Sequence, residues 1–203
     1  MSVVDSLSKL KRYSEELGLD LTRKEDRFKW FIASLLFAKR ISADIAKRTF
    51  RELVRRGLTS PHEILEAGWD ALVEALDSGG YVRYDFSTAT NILETVKKLI
   101  NEYEGDVDKI HEGARSSKDL EKRIMEFKGF GPVAANIFLR ELRGIWEKAD
   151  PKPSKLALKV ANKLRISNVK EFESELVRVY LEYCKRRKCD VCPVREHCAE
   201  PLR

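Results

Sequence analysis

Cysteine is missing from the first 183 of the 203 residues. All four thiols lie in the last twenty: Cys184, Cys189, Cys192 and Cys198, spaced C-x4-C-x2-C-x5-C. A disulfide framework, which ties distant segments of a small secreted domain together, therefore fits poorly. Four soft sulfurs in one short loop suit a single centre, either tetrahedral zinc or an iron–sulfur cube. Long apolar runs are missing too. No stretch approaches the ~18 apolar residues of a membrane helix. The start, MSVVDSLSKLKRYSEELG, has no apolar core of the secretory kind. We expect a soluble intracellular protein, cytoplasmic and nucleoid-associated if prokaryotic, with no membrane partner, in a compartment where thiols stay reduced. β-hairpin signals, internal repeats and low-complexity segments are absent as well. Histidine is scarce, and His62, His111 and His197 fall in no motif.

What is present is a helical pattern. Apolar residues make up 43% of the chain, enough for a core. Phe28, Phe31, Ile32, Leu35 and Leu36 recur at helical spacing. So do Ile92, Val96, Leu99 and Ile100, and Leu120, Ile124 and Phe127. Leu156, Leu158, Val160, Ala161 and Leu164 form a further stripe, followed by Phe172, Leu176, Val179, Tyr180 and Tyr183. Ser60-Pro61-His62-Glu63 reads as a helix start, with Ser60 as the cap and Glu63 closing a capping box. Breaks are expected at Gly57, at Ser78-Gly79-Gly80, at Gly105 and Gly113, at Gly129-Phe130-Gly131 and at Asp150-Pro151-Lys152-Pro153. The fold class expected is all-α.

The net charge of +6 suggests a polyanionic partner. One segment gives that suggestion a place. LEKRIMEFKGFGPVAANIFLREL, from Leu120 to Leu142, reads helix, Lys128-Gly129-Phe130-Gly131, helix. Glycines let the backbone turn sharply and approach a ligand closely. Pro132 suits the first position of the second helix, whose free N–H groups and dipole make an anion site. Lys128 adds a charge. A nucleic-acid phosphate fits this geometry, as does an ordinary tight turn.

Hairpin and cysteine loop together resemble the helix-hairpin-helix DNA glycosylases of the endonuclease III class. The resemblance covers most of the chain. Leu35-Leu36-Phe37-Ala38-Lys39 is similar to that family's early helix and following turn. Ala89-Thr90-Asn91-Ile92 is similar to the helix after its wedge loop, and Gly129-Phe130-Gly131 with Ala135-Asn136 to its hairpin. The cysteines match its [4Fe–4S] loop, although the family's first spacer is two residues longer. The resemblance implies a six-helix barrel over residues 22–143 that contains the helix-hairpin-helix (about 117–143). It also implies a helical iron–sulfur domain made from residues 1–21 and 144–203, with DNA in the cleft between. The cofactor implied is a [4Fe–4S] cluster, with zinc as the alternative. The partner implied is double-stranded DNA containing a damaged or mismatched base, bound by a monomer.

The family also implies roles for particular residues. Its catalytic aspartate lies about twenty residues after the hairpin's second glycine, and Asp150 lies nineteen after Gly131. Glu147 is the neighbouring carboxylate, and an alignment anchored on the next helix puts Ser154 at that position instead. A carboxylate there stabilises the cationic sugar and activates water. Wedge positions fall on Lys39 and on Tyr84, the latter in Gly79-Gly80-Tyr81-Val82-Arg83-Tyr84-Asp85-Phe86, where Tyr81 competes and Arg83 is placed to hold a phosphate. Hairpin contacts fall on Lys128, Gly129, Gly131 and Val133. The basic spacer Lys185, Arg186, Arg187 and Lys188 corresponds to a loop that the family inserts toward the DNA backbone. Bifunctional members carry a lysine nucleophile where this chain has Val133. Lys152 or Lys155, both near Asp150 in sequence, could in principle substitute. The expected function is therefore a monofunctional DNA base-excision glycosylase, and the alternative is a catalytically silent protein that binds damaged DNA. Borohydride should trap no covalent protein–DNA complex; efficient trapping on gels would contradict the monofunctional assignment.

Overall fold

The computed structural model describes residues 2–199 and is helical throughout, with no strand among the described residues. No helix among them is long and apolar enough to cross a membrane. The chain divides into two compact units, residues 17–151 and residues 2–16 with 152–199.

The larger unit contains α3 (Lys24–Phe37), α4 (Ala43–Arg55), α5 (Pro61–Ser78), α6 (Asp85–Tyr103), α7 (Val107–Glu112), α8 (Ser117–Met125) and α9 (Pro132–Arg140). The smaller unit contains α1 (Val3–Ser8), α2 (Tyr13–Glu16), α10 (Lys155–Leu164) and α11 (Glu173–Val179). The junctions at 16/17 and 151/152 differ from the expected 21/22 and 143/144. The reason is packing: Leu19, Leu21, Trp146 and Ala149 are buried in the larger unit. Asp150 therefore belongs to that unit.

Short polar caps start most helices. Ser42, Ser60, Ser116 and Ser154 each accept a hydrogen bond from the N–H three residues on, which satisfies a donor the helix itself cannot pair. At Ser60 the carboxylate of Glu63 reaches back to the N–H and hydroxyl of Thr59. Ser154 is thus a capping residue of α10. α5 is broken at Gly68, which has φ +79°, a conformation that side chains other than glycine's resist. The sequence pattern places no break there.

The core of the larger unit is built around Phe31. Its ring lies 4.2 Å from that of Phe130, nearly parallel, and meets Phe127 at 5.2 Å and Phe138 at 4.9 Å edge-on. These aromatic pairs add to the burial itself. Phe127 and Phe130 flank the glycine turn and Phe138 lies on α9, so the box fixes that turn to the core. The smaller unit has its own core, in which Leu7, Val160, Leu164, Leu176 and Val179 pack together. Leu158, expected on the inner face of α10, is instead 43% exposed.

Gly79 closes α5 where that helix meets α4. It has an ordinary helical φ, yet a Cβ there would stand 2.4 Å from the Cα of Thr49. Gly79→Ala should therefore lower unfolding stability by about 3 kcal/mol, since backbone must move to admit the methyl. Urea denaturation of the variant would measure this, and a change near zero would contradict the close approach.

Candidate nucleic-acid interface and metal centre

Three regions, and a strap that bears Asp150, gather the residues singled out from sequence. In the glycine turn, Gly129 has φ +85°, and its missing Cβ would lie 2.8 Å from the Asn91 side-chain amide on α6. The Thr95 hydroxyl donates to the Lys128 carbonyl at 3.1 Å. Local geometry therefore requires glycine at 129. Gly131 is different. Its φ is −82° with an extended ψ, and a Cβ there would meet nothing within 4 Å. Both glycines were expected to let the backbone turn sharply and come close to a ligand; the left-handed φ is at Gly129 alone, and Gly131 leaves open space over the start of α9. No side chain caps α9, and Pro132 occupies its first turn. The N–H groups of that turn thus face an open approach, beside the exposed Lys128 and the 61% exposed Val133. Such a terminus favours an anion.

The second region joins α3 to α4 and α5 to α6. Tyr81 is buried, and its hydroxyl donates to the Leu36 carbonyl at 2.9 Å. Burial pushes its phenol pKa well above the usual value. It is a core residue, which leaves the half-buried Tyr84 as the more accessible of the two tyrosines. The ammonium of Lys39 stands 5.8 Å from the Tyr84 ring centre, and the guanidinium of Arg83 stands 5.4 Å from it. The structure thus brings Lys39, Arg83 and Tyr84 together as one cationic-aromatic group. Such cation–π contacts hold a ring and its charges in fixed register.

Asp150 lies on a strap that follows α9. Trp146 anchors the strap: its ring stacks on His111 at 5.0 Å, meets Phe138 edge-on at 5.5 Å, and its N–H donates to Asp108 at 3.2 Å. Burial lowers the His111 pKa, and nearby Lys148 lowers it further. The ammonium of Lys148 donates to the His111 carbonyl at 2.9 Å. Asp150 itself is 46% exposed, and Arg143 Nε stands 3.5 Å from its carboxylate. Arg143 also donates to the Pro151 carbonyl at 2.6 Å. Glu147, Lys152 and Lys155 are exposed. Sequence reasoning missed Arg143, because a lone arginine after a helix belongs to no pattern.

The third region lies in the smaller unit. Cys184, Cys189, Cys192 and Cys198 are half-buried, unbonded to each other, and line one cavity with Val160, Leu164, Val179 and Val194. Tyr183, Lys163 and Arg195 complete its wall. A π turn over Tyr180–Cys184 carries the first cysteine. Burial pushes the Cys184 and Cys192 thiols up; Lys163 acts in the opposite sense at Cys184. Among the described residues, no three His, Cys, Asp or Glu side chains converge as ligands of a single ion would. The thiols share a cavity without meeting at one point. His197 is half-buried and does not line the cavity. Lys185, Arg186, Arg187 and Lys188 are all exposed, and Arg187 adopts φ +53°.

No protein-family model matches the chain, and no curated protein matches it either.

The two glycines of the turn give opposed expectations. Gly129→Ala should cost about 1–3 kcal/mol of unfolding free energy through its left-handed backbone. Gly131→Ala should change stability by less than about 0.5 kcal/mol. Equal losses in paired denaturation curves would contradict this assignment of roles.

Proposed function

We propose that this protein is a DNA base-excision glycosylase, monofunctional, in which six of the larger unit's helices form a barrel holding a helix-hairpin-helix. The observation that carries the reading is the turn at 128–131: a tightly packed Gly129 beside an unobstructed Gly131 and an uncapped α9. Among the described residues, nothing comes within 4 Å of the position a Cβ would take at Gly131. A phosphate of a DNA backbone fits it, with the N–H groups of α9 as donors and Lys128 as countercharge. The Lys39, Arg83 and Tyr84 group supplies cations and a ring for a duplex from which one base is withdrawn. The exposed Lys185, Arg186, Arg187 and Lys188 add a sequence-independent, salt-sensitive contribution.

Chemistry is assigned to Asp150. Breaking the bond between sugar C1′ and base nitrogen leaves positive charge on the sugar, which an ionised carboxylate stabilises. Water adds its hydroxyl to C1′, its proton passes to the carboxylate and from there through solvent to the departing base, which leaves Asp150 ionised again. Arg143 stands beside Asp150 and holds the strap through the Pro151 carbonyl. Val133 has no amine to attack C1′, so the product is an intact abasic strand.

The four cysteines suit a [4Fe–4S] cluster better than one zinc ion. Zinc needs sulfurs converging at about 2.3 Å from a single point, whereas these surround an apolar cavity. Lys163 and Arg195 in the wall offset the charge of four thiolates. Cys184 and Cys189, which flank the basic residues 185–188, would hold such a cluster together with Cys192 and Cys198.

The test is end-labelled duplexes, each with one candidate lesion, treated with wild-type protein or Asp150→Asn and developed with and without alkali. The expected result is a band that needs alkali and falls roughly hundred-fold or more in rate in the variant. Binding of lesion DNA by both proteins with no cleavage on any lesion would favour the silent-binder reading.

A further inference from the structure

Among the eighteen phenylalanines, tryptophans and tyrosines of the chain, one is exposed: Phe86, at 60%. It lies in the first turn of α6, two residues beyond Tyr84. It is held in place. The half-buried Trp69 of α5 packs on it at 5.4 Å between ring centres. The indole N–H of Trp69 donates to the Thr90 hydroxyl at 3.0 Å, and that hydroxyl donates to the Phe86 carbonyl at 2.9 Å. Two large rings are thus locked together at the surface, with Phe86 turned to water. Val82, 65% exposed, stands on the same loop.

The surroundings indicate what covers the rings. Lys39 and Arg40 lie on the loop after α3, Arg48 within α4 and Arg83 on the loop before α6; Lys39 and Arg83 stand over Tyr84, two residues before Phe86. Arg48 reaches within 3.2 Å of the position a Cβ would take at Gly80. None of the four has an acidic partner among the described residues. An exposed ring beside unneutralised cations complements an aromatic polyanion: every base offers a π face, and every nucleotide brings a charge. A hydrophobic protein partner would leave those cations unmatched.

We infer that Phe86, backed by Trp69, is a stacking platform for one unpaired base of a DNA strand held by the neighbouring lysine and arginines. The inference deepens the DNA reading above and rests on it. It makes Phe86 a reader of distorted duplex that acts beside Tyr84 and apart from the chemistry at Asp150. A fully paired duplex, whose bases are stacked on each other, has no face to offer it.

The test uses the full chain with its native metal content and two probes: a duplex with a single bulged thymine and the fully paired duplex of otherwise identical sequence. Phe86→Ala should weaken binding of the bulged probe by about ten-fold or more and that of the paired probe by less than about two-fold. Phe86→Tyr, which keeps the ring, should restore binding. Trp69 gives an independent signal, since Trp30 and Trp146 are buried. Its emission should change when the bulged probe binds wild type, and stay unchanged in Phe86→Ala. Three results would overturn the platform: Phe86→Ala binding the bulged probe like wild type, an equal loss on both probes, or a self-association that Phe86→Ala abolishes while DNA binding persists. Wild-type protein that binds neither probe would sink the DNA reading itself.

Discussion

Phe31 is the contact on which the larger unit's site depends. Its ring receives Phe127 and Phe130 from either side of Gly129, and Phe138 from the helix that follows. Trp146 then meets the far side of Phe138 and carries the chain toward Asp150. One aromatic box thus sets both the turn that opens α9 and the strap that bears the carboxylate. Burial of these rings is worth a few kcal/mol each, so positioning comes from the core rather than from surface contacts. This division of labour leaves Gly131, Lys128 and Val133 free to face outward.

The smaller unit shows a different balance. Its apolar core continues into the wall around the cysteines, and Cys184, Cys192 and Cys198 pack against that core. Burial there disfavours bare thiolates. A metal centre reverses the preference, because its own positive charge stabilises the ionised sulfur. Metal binding and folding of this loop should therefore be linked. The helix that leads into the loop is tied down independently, by Arg178 to Glu16 and Glu182 and by Tyr13 to Glu182.

Much of this was legible in the sequence where a periodicity or a fixed spacing carried it. The stripe from Phe28 to Leu36 marked α3, Ser60-Pro61 marked the start of α5, and four clustered cysteines marked one cavity. The helix breaks at Gly57, Gly105 and Gly113 were visible for the same reason. Other features had no such signal. A glycine within a helical pattern looks tolerable, so the break at Gly68 went unseen. Tyr81 and Tyr84 stand three apart in a loop, and only burial distinguishes the core ring from the accessible one. Leu158 fits the stripe by spacing but faces outward, since α10 is short and covered on one side. Gly129 and Gly131 look alike as letters; one is required by φ and by Asn91, the other by no contact among the described residues. Phe86 and Arg143 gain meaning only from neighbours distant in sequence.

The central claim is that the open start of α9 receives a DNA phosphate. The most direct measurement is the backbone amide signals of Val133 and Ala134 by NMR as a lesion-containing duplex is added. The account predicts that both shift and gain protection from exchange, ahead of amides in the capped start of α8. Tight binding of the duplex with both signals unmoved would contradict it.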